Sequence, residues 1–292
     1  MIAAVLRYKG VVFMKVTVIV DNIISPEIKK PLLAEHGLSL LLEVDDYKIL
    51  LDSGQSNIVT HNLALLGVHP NQLNAMVISH GHYDHTGGVP HILRQRANPI
   101  NIYAHDEIFK RRYAVNKNST RYIGIPFLQT ESLSLGAQWN FHTKPIEIIP
   151  NLWFSGTIPR NTDFERGDSR FVAQDKNQQK FQDKLLDDTV LYYSSKTGLI
   201  VISGCAHSGV INIIERGLAL TGSTRLAGWI GGTHLGASSQ KQQKETIQAL
   251  REYNPEFIFT SHCTGFSIMA ELQREFGSKF MPAFVGNTIN II

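Results

Sequence analysis

The sequence predicts a layered α/β fold, and two observations support this. Short runs rich in β-branched residues alternate with stretches whose apolar residues recur at helical spacing, and in the second half this strand-then-helix order occurs three times. Such alternation is typical of sheets with helices packed on them. Hydrophobic residues make up 43% of the 292 residues and charged residues 18%. This balance supplies a sizeable core and excludes disordered and low-complexity classes.

The elements of the first half are predicted from runs that either alternate or are wholly apolar, as strands with one or two buried faces should be. A turn over 52–54 ends the third run, and Gly67 ends the first helical stretch. The predicted strands cover 15–20, 38–44, 47–51, 75–79 and 100–104, and the predicted helices cover 56–66 and 89–96.

In the second half, three predicted strands each lead into a polar loop that contains a histidine, and then into a helix. Polar groups just beyond strand ends are where layered α/β folds place their sites. The strands cover 199–203, 226–230 and 257–260, and the helices cover 211–220, 239–253 and 267–276.

The middle of the chain is less regular. Residues 105–122 are rich in basic side chains, and residues 160–188 carry many Gln, Asp and Lys residues. A long polar segment within a compact domain is typical of a lid or a flexible insertion, which we predict for 160–188.

No repeat or linker divides the chain, so residues 14–292 are predicted to form one domain. Residues 1–13 lack the features of a signal peptide and are interpreted as an extension ahead of a start at Met14, which predicts a cytoplasmic protein. A net charge of +3 is too weak to indicate nucleic-acid binding. The apolar runs fall short of the roughly 20 residues that a membrane span needs. The sequence leaves open whether the chain forms a homo-oligomer.

The strongest chemical feature is His80-x-His82-x-Asp84-His85, which places three of the twelve histidines and a carboxylate within six residues. Imidazole and carboxylate suit zinc, iron and manganese. These side chains converge only from a turn, and Gly81 supplies the backbone freedom for one. With only two cysteines a disulfide framework is excluded, and the histidines near both of them point to metal or site chemistry.

The segment Ser79-His-Gly-His-Tyr-Asp-His-Thr-Gly-Gly88 resembles the metal motif of the metallo-β-lactamase superfamily. The resemblance extends from Met14 to the C-terminus and is greatest to a subgroup labelled 7,8-dihydropterin-6-methyl-4-(β-D-ribofuranosyl)-aminobenzene-5′-phosphate synthase-like. It implies an αββα sandwich with a two-metal cleft at one edge. The further matching segments are 21–22, 36–39, 51–54, 204–209, 231–235 and 261–265.

Carried over by motif, the resemblance implies that His80 and His82 bind a first ion. Asp84, His85 and His262 are then the expected ligands of a second, and Asp52 is expected to orient a ligand from behind. Two divalent ions are expected, zinc foremost, with manganese or iron as alternatives.

The sequence departs from the superfamily pattern at two places. No histidine occurs over 153–160, where common members carry a further ligand, and Cys205 stands where a bridging aspartate is usual. We expect His207 to complete the ligands of the first ion. Whether Cys205 binds or bridges metal, or only packs, stays open.

Other residues are expected around the cleft. Asp84 and His234 are expected to face the substrate, with helix capping as the alternative for His234. Tyr83 either faces the cleft or packs on its loop, and Cys263 is expected to point away from the cleft as a structural residue. Arginines of the middle segments offer either phosphate-binding cations or solvated surface: Arg111, Arg112, Arg121, Arg160, Arg166 and Arg170.

These features favour a metal-dependent hydrolase that acts on a phosphorylated or phosphodiester small molecule through metal-activated water. No Gly-x-Ser-x-Gly elbow or Walker loop occurs. One alternative is a transferase that condenses a dihydropterin with a ribofuranosyl-aminobenzene phosphate. Another is a non-enzymatic, metal-bound ligand sensor or an iron redox protein.

Overall fold

A computed structural model describes residues 14–175 and 177–291, so the predicted extension over 1–13 lies outside the described residues. The strands are Met14–Val20 (β1), Ser39–Val44 (β2), Tyr47–Leu51 (β3), Ala75–Val77 (β4), Ile100–Ala104 (β5), Arg111–Asn116 (β6), Ser119–Tyr122 (β7), Ala137–Phe141 (β8), Ile146–Ile149 (β9), Leu152–Phe154 (β10), Phe171–Gln174 (β11), Lys180–Gln182 (β12), Val190–Ser195 (β13), Gly198–Ser203 (β14), Leu226–Gly231 (β15), Phe257–Thr260 (β16), Phe280–Pro282 (β17) and Thr288–Ile291 (β18). The α-helices are Ile58–Leu65 (α1), Tyr83–Thr86 (α2), Val89–Leu93 (α3), Gln129–Ser134 (α4), Val210–Thr221 (α5), Gln240–Tyr253 (α6) and Phe266–Phe276 (α7).

Two seven-stranded sheets form the centre of the fold, in the orders β18-β1-β2-β3-β4-β5-β8 and β17-β16-β15-β14-β13-β10-β9. Buried side chains from both sheets, such as Val16, Leu40, Ile202 and Phe259, form one cluster between them. A second cluster lies between the second sheet and α5, α6 and α7. A third lies between the first sheet and α1 and α3. The expected αββα layering is therefore confirmed.

The parallel strands fix where the site can form. β3 pairs in parallel with β4, and β14, β15 and β16 are parallel neighbours. Because the carboxyl ends of parallel neighbours lie at the same edge of a sheet, the loops after these strands are brought together. The predicted strands and helices all exist, although the strand predicted over 75–79 ends at Val77 and the helix predicted over 89–96 ends at Leu93.

Helix α5 shows how the sequence sets a helix boundary beside the site. The Glu165 carboxylate accepts hydrogen bonds from the backbone N–H groups of Ile211 (2.9 Å) and Asn212 (3.0 Å), which have no acceptor within the helix. Gly222 ends the helix in the left-handed conformation, at φ +68°. The apolar face of α5 packs on the second sheet, and this fixes the loop that precedes the helix.

The segment over 160–188, predicted as a lid or flexible insertion, contains β11 and β12. Together with β6 and β7, these strands form a four-stranded sheet of order β12-β11-β6-β7. Arg112 of β6 is fully buried and forms ion pairs with Asp183 (2.9 Å) and Asp187 (2.6 Å). The expectation that Arg112 offers a free cation or lies on a solvated surface is therefore wrong.

No helix within 14–175 and 177–291 is long and apolar enough to cross a membrane.

Candidate metal centre

The predicted and possible ligands, together with Asp52, which is expected to orient one of them, converge at one edge of the sandwich, beyond the ends of four strands. None of these residues is more than 7% exposed. The ligands follow β4 (His80, His82, Asp84 and His85), β14 (Cys205 and His207) and β16 (His262), and Asp52 follows β3.

A first group of donors contains three histidines. The Nε2 atom of His80 lies 3.0 Å from Nδ1 of His82 and 3.3 Å from Nε2 of His207. The Sγ atom of Cys205 lies within 4.8 Å of the ligand nitrogens of His80 and His207. The structure therefore brings His207 to the His80–His82 pair, as the sequence analysis expects.

A second group of donors shares the same sulfur. Nε2 of His85 is 3.1 Å from Sγ of Cys205. Oδ2 of Asp84 is 3.7 Å from Nε2 of His262 and 3.9 Å from Nε2 of His85. Cys205 thus occupies the position between the two groups that the sequence analysis associates with a bridging ligand.

Asp52 orients one histidine in each group through hydrogen bonds. Its Oδ2 atom lies 2.7 Å from Nδ1 of His85 and accepts a hydrogen bond from the hydroxyl of Ser79 at 2.7 Å. Its Oδ1 accepts the Ser79 backbone N–H at 2.8 Å. Since the Ser79 hydroxyl donates to Asp52, it is free to accept from Nδ1 of His80, 2.9 Å away. Asp52 therefore fixes one histidine directly and another through Ser79.

The residues present fit a metal ion. Nδ1 of His85, His80 and His262 faces Asp52, Ser79 and Asn22 respectively, so each ring presents Nε2 to the cleft. Nε2 of His262 is buried and has no hydrogen-bond partner among the described residues. A buried ring nitrogen without a partner is costly unless a ligand is bound to it.

Burial also keeps most of these imidazoles in the neutral form that binds metal. It lowers the pKa of His82 to about 3 and that of His262 to about 4. Burial and the neighbouring histidines hold the pKa values of His80 and His207 well below the usual range. Burial raises the pKa of the Cys205 thiol, so a nearby cation is needed to form a thiolate there.

In the second group, two carboxylates raise the pKa of a histidine instead of leaving it lowered by burial. Burial lowers the pKa of His85, but Asp52 and Asp84 more than offset it and raise the pKa to about 9. Burial raises the pKa of Asp84, yet His85 and a hydrogen bond from His36 together hold it well below its usual range. Nε2 of His36 lies 3.1 Å from Oδ2 of Asp84. The sequence analysis did not single out His36, although it lies in one of the matching segments.

Several strained backbone positions lie around the cleft. Four non-glycine residues there have positive φ: Asp52 (+59°), Ala206 (+62°), His234 (+51°) and His262 (+53°). Each such position costs about 1–3 kcal/mol and is typical of functional sites. The strain lies where strands end and side chains turn into the cleft.

The expectation that Cys263 points away from the cleft is wrong. Its side chain lines the cleft together with Cys205 and His234, and its Sγ accepts a hydrogen bond from the backbone N–H of His234 at 3.3 Å. His234 packs against His207, with ring centroids 4.2 Å apart. The structure therefore places a second sulfur and a further imidazole beside the predicted ligands.

The cleft encloses a cavity of about 110 Å³, and its mouth is formed by elements that do not carry the donors. Tyr83 lines it, and its hydroxyl accepts a hydrogen bond from Arg121 of β7 at 3.0 Å. Phe171 of β11 lies edge-on to the rings of His82 and His207. Sequence reasoning missed Phe171, because its position depends on how the four-stranded sheet docks.

Arg160 does not line this cavity. Its guanidinium donates hydrogen bonds to the backbone carbonyls of His207 (3.0 Å) and Lys184 (2.6 Å). The expectation that Arg160 binds substrate is therefore not supported, and the structure gives this residue a role in holding the His207 loop.

Comparisons with known proteins agree with this geometry. The sequence profile of the metallo-β-lactamase superfamily matches residues 33–262. A 7,8-dihydropterin-6-methyl-4-(β-D-ribofuranosyl)-aminobenzene-5′-phosphate synthase of Methanocaldococcus jannaschii is 29% identical over 267 residues, which cover 89% of this chain and 91% of that protein. An uncharacterised protein of the same organism is 30% identical, covering 94% of this chain and 100% of its own. The crystal structure of Tm1679, described as a metal-dependent hydrolase of the β-lactamase superfamily, superposes with a TM-score of 0.79 at 27% identity and covers 95% of this chain and 99% of its own.

Proposed function

Since the chain belongs to the metallo-β-lactamase superfamily, we propose that it is a metal-dependent hydrolase of a phosphorylated or phosphodiester small molecule. The observation that carries the proposal is the pair of donor groups around Cys205, with the buried, unpartnered Nε2 atom of His262 in the second group. We propose His80, His82 and His207 as ligands of one ion and Asp84, His85 and His262 as ligands of a second. Cys205 is proposed as the ligand shared by both.

Two divalent ions bound there would supply a water of lowered pKa and a Lewis acid for a phosphoryl oxygen. We expect zinc, with manganese or iron as alternatives, because imidazole and carboxylate suit these ions. The chain's own residues prepare the cleft for this chemistry. Asp52 and Ser79 hold the rings of His85 and His80, so the donors need not reorganise when an ion arrives.

The cleft mouth favours an anionic substrate that also carries a planar or apolar part. Arg121 and Tyr83 offer a guanidinium and a hydroxyl side by side, a combination suited to phosphoryl oxygens. Phe171 covers the opposite side with an apolar ring. We propose that these three residues orient the substrate, while the buried histidines exclude bulk water behind it.

The proposal is tested by metal analysis of the purified protein, followed by a panel of phosphomonoesters and phosphodiesters. We expect at least two divalent ions per chain and turnover that chelation abolishes. His82→Gln and His262→Gln should each lower the metal content and the turnover. His105→Gln is the matched control, because His105 is also buried but hydrogen-bonds to Thr157 (2.8 Å) away from the cleft. Turnover that survives complete metal removal would refute the proposal.

A transferase is the second candidate, favoured by the 29% identity to the Methanocaldococcus synthase over nine tenths of both chains. The same cleft then condenses a dihydropterin with a ribofuranosyl-aminobenzene phosphate. Phe171 offers a ring on which a pterin could stack. Incubation with both substrates separates the candidates, since a transferase gives the condensed product and a hydrolase gives only the hydrolysed phosphoester.

A further inference from the structure

A third group of metal-type donors lies beside the proposed two-ion centre. The Sγ atoms of Cys205 and Cys263 and a ring nitrogen of His234 all lie within 4.8 Å of one another. In a tetrahedral site with metal–sulfur bonds of about 2.3 Å, two sulfurs stand about 3.8 Å apart. The three side chains therefore need to move by only about 1 Å to bind one ion.

We propose that Cys205, His234 and Cys263 bind a thiophilic divalent ion such as Zn²⁺ or Cd²⁺, at a position distinct from the two sites proposed above. Two thiolates and one imidazole are a donor set that zinc accepts, with a fourth position left open. Sulfur ligands select thiophilic ions over Mg²⁺, Ca²⁺ and Mn²⁺. The Cys205 sulfur belongs to all three donor groups, so the third ion adjoins the other two.

The state of the His234 ring is the first support for this site. Both of its nitrogens are buried, and neither has a hydrogen-bond partner within the described part of the chain. A histidine that only capped a helix would use a ring nitrogen to accept a backbone N–H, and His234 makes no such bond.

The backbone around the site is the second support. His234 has φ +51°, a strained value that turns its side chain from the end of β15 toward Cys263. The two loops are joined by Thr233 and Thr264, whose hydroxyls lie 3.0 Å apart. A Cβ on Gly232 would stand 2.5 Å from the Cys263 sulfur, so only glycine leaves room for that sulfur in the cleft.

The hydrogen bond to the Cys263 sulfur is the third support. The backbone N–H of His234 donates to it at 3.3 Å. Donors of this kind stabilise a thiolate and are the usual partners of metal-bound sulfur. In this site His234 is a metal ligand, whereas the sequence led us to expect a substrate-facing residue. The two roles predict different experimental results.

The test uses the full-length protein, chelated under reducing conditions and then titrated with Co²⁺ alone. Thiolate–Co²⁺ charge transfer absorbs in the near ultraviolet, and its intensity reports the number of sulfur–cobalt bonds. Because Cys205 is shared with the two-ion centre, its sulfur contributes in both proteins, and Cys263→Ser should lose only the part of the wild-type band that the Cys263–Co²⁺ bond supplies. His234→Gln should keep the band but require at least about tenfold more Co²⁺ to saturate it. His105→Gln is the matched control and should match the wild type.

Two results would overturn the site. One is that Cys263→Ser retains the full band. The other is that His234→Gln binds Co²⁺ as the wild type does. If His234→Gln binds Co²⁺ normally but loses turnover, His234 faces the substrate instead. His82→Gln separates this proposal from the two-ion centre. It should lose a histidine-bound ion and turnover yet keep the part of the band that the Cys263–Co²⁺ bond supplies, because His82 belongs to none of the three donor groups that contain Cys205.

Discussion

Arg112 provides the clearest test of the packing that supports the cleft. Its guanidinium donates to Asp183 (2.9 Å) and Asp187 (2.6 Å), and to the carbonyl of Ile108 (3.1 Å). Asp187 in turn accepts the backbone N–H of Gly81 at 2.8 Å, between two proposed ligands. Arg112 therefore connects the four-stranded sheet to the metal motif through a single carboxylate.

Replacing Arg112 by Met leaves two buried carboxylates without their cation. Removing one partner of a buried ion pair costs about 3–5 kcal/mol of the free energy of unfolding. With about 2–4 °C per kcal/mol in a domain of this size class, Tm should fall by about 6–20 °C. Arg111→Met is the matched control, because Arg111 is the exposed neighbour on the same strand, and its change should stay within about 0.5 kcal/mol.

The stability of Arg112→Met should depend on pH because the buried Asp187 carboxyl loses its cation. Burial raises the pKa of Asp187 in the wild type, and Arg112 opposes this. Without the guanidinium, the pKa of Asp187 in the folded protein rises further above its value in the unfolded chain. At pH values above that raised pKa, the buried charged carboxylate destabilises the folded state. The deficit in stability should therefore shrink as the pH falls and the carboxyl is protonated. Urea unfolding at several pH values measures it, and equal losses in Arg112→Met and Arg111→Met would refute the reasoning.

Three further predictions concern the cleft itself. Asp52→Asn should weaken metal binding by about 10–100-fold with the fold intact, because the amide oxygen accepts less strongly from His85; competition with a chelator measures this, and unchanged affinity would contradict it. Cys205→Ser should lower metal retention at least tenfold if the sulfur is a ligand, whereas a merely packed thiol predicts full metal content. Arg121→Met should raise KM for a phosphorylated substrate more than it lowers kcat, while metal content stays constant; a change confined to kcat would exclude a binding role.

Much of this centre could be predicted from sequence because its donors follow strand ends. The resemblance to the metallo-β-lactamase superfamily was confirmed, and so were the three strand–loop–helix units that carry Cys205, His234 and His262. These units could be predicted because apolar periodicity and the adjacent glycines are local signals.

Cys263 shows why the rest could not be predicted. The expectation that it faces away assumed an extended backbone, in which neighbouring side chains point to opposite sides. Instead His262 has φ +53°, and His262–Thr264 forms a 3₁₀ turn that brings the sulfur of Cys263 back to the cleft. Arg112 was assigned the wrong role, and Phe171 was missed, for another reason. Their positions depend on the docking of the four-stranded sheet, which no local pattern specifies.

The hydrogen bonds behind the histidines suggest that folding, rather than metal binding, builds the centre. His85, His80 and His262 are each held at Nδ1, by groups that follow three different strands: Asp52 after β3, Ser79 after β4 and Asn22 after β1. All three Nε2 atoms therefore face the cleft as soon as the two sheets pack. The strain at Asp52 and His262 is sustained by the same packing, because isolated loops would relax it. An ion that enters this cleft meets donors already oriented for it, and the cost of orienting them is included in the stability of the αββα core.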